Sequence, residues 1–168
     1  MFQQDDLVVY ASYGVCAVAD NDARTAAGGP DRAYYVLTPI NARLGTVYVP
    51  TDREELIRPV INREEALHIV EHYDEIAPDD FADTNARTVE AHFKGMLRRC
   101  DCLTAVRVAK TMGLRIADQE RRKHLPSSLY TRLFDQAARQ AGSELAAALG
   151  ISAEEVRGMM TGDTPAKR

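Results

Sequence analysis

The sequence has no tryptophan, only three cysteines and no long hydrophobic run. Cys16, Cys100 and Cys102 are too few, and odd in number, for a disulfide framework, so they favour a reducing compartment. No segment approaches the ~18 consecutive apolar residues that a membrane-spanning helix needs. The N-terminal stretch lacks the basic start and apolar core of a signal peptide. These absences predict a soluble, cytoplasmic protein that does not enter a membrane.

Motifs for phosphate binding and nucleophilic catalysis are also missing. Gly28-Gly29-Pro30 lacks the lysine and the helix of a phosphate-binding loop, and no G-x-S-x-G string occurs. His68-Ile69-Val70-Glu71-His72 does match the H-x-x-E-H pattern of inverted zinc peptidases. Its histidines would share a helix face, but no third ligand is indicated, so two solvated histidines are the favoured interpretation. We expect no enzyme, no cofactor, no metal site and no small-molecule substrate.

The net charge of −4 hides a strong separation of acidic and basic residues along the chain. Residues 61–85 hold eight acids and one base, whereas residues 86–139 hold twelve bases and five acids. On a helical wheel Arg87, Lys94 and Arg98 form one narrow stripe. The apolar residues of the same segment lie roughly opposite: Val89, Phe93, Met96 and Cys100. Such a stripe could contact successive DNA phosphates, although a charge run is more often only a solvated face.

A strand-rich N-terminal part precedes a helical remainder. Runs of β-branched and aromatic residues predict strands at 7–10, 15–19, 34–37, 46–50 and 56–59. Gly28-Gly29-Pro30 marks a turn, and residues 41–45 form a plausible hairpin connection. So many short strands in so short a span indicate a compact barrel of the SH3 or Tudor kind. We therefore predict an α+β protein, with a small SH3/Tudor-like β-barrel at residues 1–60 and an all-α domain at 61–168.

Helical signals begin after the last predicted strand. Asn62 is a suitable N-cap, and residues of about 73–85 form a predicted acidic connector. Further helices are predicted at 85–99, at 101–112 with Gly113 as its end, and at 127–149 with Gly150 as its end. Ser152 starts a short last helix, and residues 161–168 form a predicted frayed tail.

Several segments share the order and spacing of a known family. They are Val8-Val9-Tyr10, Tyr13-Gly14-Val15-Cys16, Tyr34-Tyr35-Val36-Leu37, residues 46–52, residues 93–98 leading to Asp101, and residues 145–156. Together they resemble the CarD-type bacterial transcription regulators, whose N-terminal domain type also occurs in transcription-repair coupling factors. The resemblance extends over about residues 2–160 and rests on the order of the segments rather than on one specific motif.

The resemblance implies a regulator that is not an enzyme and needs no cofactor. It implies docking on the β subunit of bacterial RNA polymerase through the N-terminal domain, at Arg24, Tyr35, Leu37, Val47, Tyr48, Val49 and Pro50. The helical domain would contact promoter DNA without sequence specificity and modulate the stability of the open complex. The residues implied for that contact are Arg87, Val89, Lys94, Arg98, Arg99, Arg121, Arg122 and Lys123.

Two of the positions implied for binding depart from the family pattern. Many members carry a tryptophan at the start of the DNA-contacting helix, where it wedges into the minor groove, and the matching position here falls near Val89. An aliphatic residue can also act as a wedge, but Val89 suits a core position equally well. Tyr48 stands where some members place an arginine that meets polymerase. An alternative therefore stays open, a protein-interaction module that binds polymerase or another partner without touching DNA.

Overall fold

The computed structural model describes residues 1–10, 13–24, 32–40 and 45–161, and the chain divides into two compact units, Met1–Ile61 and Asn62–Arg168. Three expected features lie outside the described residues: the turn at 28–30, most of the hairpin connection at 41–45, and the tail from 162 onward. Within the described ranges, no helix is both long enough and apolar enough to cross a membrane.

The first unit is a five-stranded antiparallel sheet. Its strands are β1 (Leu7–Tyr10), β2 (Gly14–Arg24), β3 (Ala33–Pro39), β4 (Val47–Pro50) and β5 (Ile57–Pro59). All five predicted strands are present, but β2 continues beyond its predicted end at Ala19. Register shifts after Val18 and after Asp20 bend this polar extension, so that it stays paired with β3 as far as Arg24.

The strand order is β4-β3-β2-β1-β5, so β4 and β5 lie at the two ends of the sheet. A 3-10 helix, Thr51–Leu56, connects them along the chain. No pairing between β4 and β5 closes the sheet within the described residues. The α+β layout is confirmed, whereas closure into an SH3/Tudor-like barrel stays a prediction.

One face of the sheet carries the core of the first unit. The buried residues of this core are Val8, Cys16, Val18, Tyr35, Leu37, Val49 and Ile57. Burial raises the pKa of the Cys16 thiol to about 11, so it packs as a neutral apolar group. The Tyr35 ring is also in the core, and its hydroxyl donates to a carboxylate oxygen of Glu54 at 3.0 Å.

The described residues of the second unit contain five α-helices. They are α1 (Arg63–Glu71), α2 (Ala86–Leu97), α3 (Cys102–Arg121), α4 (Ser128–Leu149) and α5 (Ala153–Thr161). Polar caps explain several of their starts, because a side-chain oxygen there accepts an otherwise unpaired amide hydrogen. Asn62 and Glu65 form a reciprocal capping box at α1, and Asp101 accepts from the Thr104 amide at 2.7 Å in α3.

The predicted helix end at Gly113 is wrong, because α3 continues to Arg121. Gly113 faces α4, where a Cβ atom built on it would lie 3.4 Å from the Phe134 ring. Glycine inside a helix costs about 1 kcal/mol relative to alanine, and close packing of a neighbouring ring can offset that cost. This glycine therefore marks a close approach of two helices rather than a stop.

Gly150 ends α4 as predicted, in the left-handed conformation with φ of 70°. We expect Gly150→Ala to lower the free energy of unfolding by about 1 kcal/mol, because a Cβ atom disfavours that conformation. Gly142→Ala is the matched control in the interior of α4, where nothing lies within 4 Å of an added Cβ. It should raise the free energy of unfolding by up to about 1 kcal/mol. Chemical denaturation measures both, and changes of the same sign would contradict this account.

Candidate interaction surfaces

Strand β4 forms an edge of the sheet and carries aromatic groups on its outer face. In the pairing with β3, Tyr48 lies opposite Val36, and Pro50 lies opposite Tyr34. These four side chains share the face that points away from the core, because side chains alternate along a strand. Tyr48 is 51% exposed, and its ring meets the Tyr34 ring edge to face, with centroids 6.5 Å apart. The edge thus combines an aromatic pair on its outer face with backbone groups that pair with no further strand among the described residues.

Charged side chains flank that aromatic pair. The Arg32 guanidinium lies 5.9 Å from the centroid of the Tyr34 ring, which is a cation–π distance. One of its nitrogens donates to both carboxylate oxygens of Asp52, at 3.1 and 3.3 Å. We call Arg32, Tyr34, Tyr48 and Asp52 the outer β4 patch. Its aromatic surface with a charged border is typical of protein–protein interfaces.

The residues predicted to meet polymerase divide between the two faces of the sheet. Tyr48 and Pro50 point outward, and Arg24 is exposed at the end of β2. The other four lie on the core side: Tyr35, Leu37, Val47 and Val49. Three of them are fully buried and Val47 partly so, which corrects the expectation that these side chains contact a partner directly. They instead hold β3 and β4 in the positions that present the outer β4 patch.

Sequence reasoning missed Tyr34 and Arg32 as members of this surface. Most of the residues that the resemblance implies lie in continuous apolar runs, in which both faces of a strand are mixed. A strict two-residue alternation through Tyr48 and Pro50 separates the outward set, and pairing with β3 then brings in Tyr34. The alternation is visible in the sequence, but adding Tyr34 to the surface also requires knowing that β3 pairs with β4.

Helix α2 has one buried face and one basic face, as predicted. Val89, Phe93 and Leu97 are buried, with Leu97 in place of the predicted Met96 and Cys100. Arg87 and Arg98 are exposed and form no ion pair within the described part of the chain. Lys94, between them on the stripe, pairs with Glu90 at 2.7 Å.

The Lys94–Glu90 pair reduces the positive charge of the stripe. The hydrogen bond from Lys94 holds the pKa of Glu90 below its usual value, and the nearby Arg132 of α4 acts in the same direction. Arg132 is exposed and therefore extends the basic face from α2 onto the neighbouring helix. Arg87, Arg98 and Arg132 remain the cations best placed to meet an external anion.

The position of Val89 is incompatible with the expected DNA wedge. Val89 is 2% exposed and lies on the buried face of α2. A wedge must project beyond the surface to enter a groove. The expectation that Val89 contacts DNA is therefore wrong, and its role is in the core.

Other cations in the basic segment fasten the acidic connector to α3 through backbone carbonyl groups. The Lys110 ammonium donates to the carbonyl oxygens of Tyr73 and Asp74, at 2.7 and 3.0 Å. The Arg115 guanidinium donates to the carbonyl oxygen of Phe81. Lys110 and Arg115 bind groups within the unit. The number of basic residues in 86–139 therefore overstates the number of cations that a partner could contact.

The middle of the connector is anchored as well. The Asp79 amide donates to the Thr111 hydroxyl at 2.8 Å, and the Asp79 carboxylate lies 3.1 Å from Nε2 of His92. The Phe81 ring stacks on the His92 ring with centroids 4.0 Å apart. Of the predicted connector at about 73–85, Tyr73–Glu75 forms a short 3-10 helix and residues 76–85 contain no helix or strand, and the connector packs on α2 and α3.

The second predicted basic cluster ends α3. Arg121, Arg122 and Lys123 are all exposed. Arg121 and Arg122 both pair with Asp118, and the hydrogen bond from Arg121 is the main cause of the lowered pKa of that carboxyl group. The carboxylates of Asp118 and Glu120 oppose three cations, so this cluster keeps only a small positive charge.

Helix packing brings the start of α2, with Arg87, to the end of the second unit that carries the second basic cluster. Arg115 of α3 contacts the Phe93 ring of α2 and the Tyr130 ring of α4, at 5.1 and 5.6 Å from the centroids. Farther along, Gln140 of α4 donates to the Leu97 carbonyl at the end of α2. Helix α2 thus runs alongside α4 and opposite to α3. The start of α2, with Arg87, therefore lies at the same end as the α3–α4 loop.

The two histidines of the H-x-x-E-H string lie on α1. The His68 and His72 rings stack with centroids 4.2 Å apart. Nδ1 of His72 is 2.9 Å from the His68 carbonyl oxygen. The described residues contain no group of three or more His, Cys, Asp or Glu side chains that could hold a metal ion. The stacked pair therefore gains no third ligand from this part of the chain.

Comparison with known proteins concerns the first unit. Residues 2–61 match the family model described as the CarD-like/TRCF RID domain. The matched range contains the whole five-stranded sheet and ends just before the Asn62 cap of α1. No curated protein shows a significant match to the chain.

Proposed function

We propose, from the match of residues 2–61 to the CarD-like/TRCF RID domain model, that the chain is a bacterial transcription regulator that binds RNA polymerase. The first unit binds the polymerase β subunit, and the second unit contacts promoter DNA and modulates the stability of the open complex. This is a binding function of the bacterial cytoplasm, without a catalytic step, a cofactor or a small-molecule substrate. The domain family is one of protein interaction, which supports the binding role.

The open edge of β4 is the observation that carries the polymerase half of the proposal. An extended segment of a partner can add to such an edge through main-chain hydrogen bonds, and neighbouring side chains then provide specificity. The outer β4 patch lies beside this edge and provides an exposed tyrosine with a fixed aromatic neighbour. Tyrosine in that setting is a common source of binding energy at interfaces.

Helix α2 supports the DNA half. Its apolar face is buried, which fixes the helix on the unit, while Arg87 and Arg98 project from the opposite face. Eleven residues separate these two arginines, which corresponds to about 16 Å along a helix. Cations spaced in this way contact phosphates rather than bases, so binding is tolerant of sequence and weakens with salt.

A second candidate function is a protein-interaction module without DNA contact. The pairing of Lys94 with Glu90, and of Arg121 and Arg122 with Asp118, favours it because these cations are partly neutralised. Lys110 and Arg115 are likewise engaged with the connector. The two candidates share the polymerase contact and differ only in the role of the second unit.

The full-length chain, isolated polymerase β subunit and a forked promoter DNA test the proposal together. We expect the chain to co-purify with the β subunit, and to shift the DNA in a gel at low salt but progressively less as salt rises. Retention on the β subunit without any DNA shift would select the interaction module. Failure to bind the β subunit under either condition would overturn the proposal.

A further inference from the structure

Helix α1 ends in two histidines whose rings lie against each other. His68 is exposed, and His72 is half-buried and forms the C-cap of the helix. Both project from one helix face because they are four residues apart. Their ring centroids are 4.2 Å apart, and the ring planes differ by 19°. The sequence pattern alone favours two solvated histidines, whereas this geometry brings two imidazole groups together at one point of the surface.

One hydrogen bond fixes the tautomer of His72. Its Nδ1 lies 2.9 Å from the carbonyl oxygen of His68, and a carbonyl oxygen can only accept, so Nδ1 carries the hydrogen. In the neutral ring the lone pair is therefore on Nε2. Metal-binding histidines almost always use this arrangement, in which the other ring N–H donates to a carbonyl or carboxylate oxygen and orients the ring.

The electrostatic surroundings of the pair favour a cation. His72 lies at the C-terminal end of α1, which is the negative end of the helix dipole. Glu64 and Glu71 are exposed and line the same shallow cleft as His68. Arg63 is the one basic residue among the groups that line this cleft. Two carboxylates and a helix C-terminus thus face one guanidinium group.

The cations near the pair bind backbone oxygens. One nitrogen of Arg63 donates to the carbonyl oxygen of Leu149, at the end of α4, at 2.6 Å. On the other side of the pair, the Lys110 ammonium donates to the carbonyl oxygens of Tyr73 and Asp74 at 2.7 and 3.0 Å. These bonds hold both cations on the main chain rather than on the imidazole rings.

We infer that His68 and His72 chelate one divalent transition metal ion, with Nε2 as the ligand atom of His72. Imidazole nitrogens suit Ni²⁺, Cu²⁺ and Zn²⁺. The described residues contain no group of three ligands, so water completes the coordination. Because a metal–nitrogen bond is about 2.0–2.1 Å long, the exposed His68 ring turns toward the Nε2 lone pair of its neighbour when the ion binds. The inference does not depend on the proposed contacts with polymerase or DNA.

The fold of α1 contributes directly to the affinity of such a site. Two ligands bind an ion more tightly than one, because the second bond forms at a high effective concentration. This gain exists only while the helix is folded, since the helix brings positions 68 and 72 onto one face. Metal binding should therefore also stabilise the folded chain.

Isothermal titration calorimetry with Ni²⁺ tests the site in the full-length chain, purified without a histidine tag. Cu²⁺ binds imidazole more tightly but also oxidises thiols, of which the chain has three. The decisive variant is His68→Gln, because the side chain of His68 is exposed and its removal leaves the core intact. His124→Gln is the matched control, since it removes an exposed histidine of the same unit outside α1.

We expect one Ni²⁺ per chain, bound about tenfold or more weakly by His68→Gln and within about twofold of the unaltered affinity by His124→Gln. Ni²⁺ should raise the midpoint of thermal unfolding for the unaltered chain and the control, but not for His68→Gln. Equal Ni²⁺ affinity of the unaltered chain and folded His68→Gln would overturn the inference, as would the absence of Ni²⁺ binding to the unaltered chain. Either result leaves the proposed polymerase and DNA contacts standing, because those are measured without added metal.

Discussion

Replacing Tyr48 by aspartate should weaken binding to the polymerase β subunit at least tenfold, which corresponds to about 1.4 kcal/mol. Tyr48 combines half-exposure with an edge-to-face contact to Tyr34, so its ring is already positioned before a partner arrives. Aspartate removes that aromatic surface and introduces a charge that must be desolvated in an interface. Surface plasmon resonance with the immobilised β subunit measures the change.

Tyr13→Asp is the matched control for this variant. Tyr13 is also exposed, at 37%, but its ring stacks on Tyr10 beside β1 rather than on the outer β4 patch. We expect it to keep the affinity of the unaltered chain within about twofold. Thermal unfolding of both variants shows whether the sheet is intact. Equal affinities for Tyr48→Asp and Tyr13→Asp in folded proteins would exclude the outer β4 patch as the docking surface.

Reversing the charges of Arg87 and Arg98 together should weaken DNA binding about 100-fold at low salt. Each arginine is expected to meet one phosphate, so the slope of log affinity against log salt should fall by about 1.8 in magnitude. These two are better choices than Lys94, whose ammonium is already paired with Glu90 at 2.7 Å. Anisotropy titrations of Arg87→Glu, Arg98→Glu and the double variant, over a series of salt concentrations, give both quantities.

Arg53→Glu provides a control with the same change of charge in the first unit. Arg53 is exposed and pairs with Glu55 at 2.6 Å within the first unit. It should lower DNA affinity less than about twofold and leave the salt slope unchanged. A double variant that binds DNA as the control does would show that α2 is not the phosphate-contacting helix.

Strand positions and helix caps follow closely from local chemistry. β-Branched and aromatic runs mark β1, β3 and β4 because these residues favour a pleated, half-buried backbone. Asn62 with Glu65 forms the capping box that polar residues at such spacing predict. Such elements depend on residues that lie close together along the chain, so the sequence alone is enough to predict them.

Gly113 and Val89 show where local chemistry is insufficient. Glycine after a helical run favours a helix end, but the ring of Phe134, distant in sequence, makes a continuing helix favourable. Val89 could equally be a wedge or a core residue until the packing of α2 is known. In both cases the deciding partner comes from another helix, and a single sequence does not show which helices pack together.

The acids of residues 73–85, by contrast, predict a connector but not how it packs on the helices. Its acidic side chains do favour solvent, but its attachment depends on main-chain groups that a count of side chains does not reveal. Lys110 and Arg115 supply the donors from α3. The basic segment was interpreted as an external surface, although part of it serves this internal purpose.

The connector is attached to α3 through its backbone carbonyl groups, so this attachment does not depend on the charges of its side chains. Lys110 and Arg115 bind carbonyl oxygens, which every amino acid carries, so substitution of the acidic residues Asp74, Asp80 or Asp83 leaves those bonds available. The number of acids at positions such as Asp74 and Asp80 can therefore drift during evolution with little effect on the stability of the unit, whereas the carboxylates of Asp79 and Asp83 also accept backbone hydrogen bonds in the connector. Because acids near a phosphate-binding face repel DNA, such drift would adjust the lifetime of a DNA complex in small steps without rebuilding the protein.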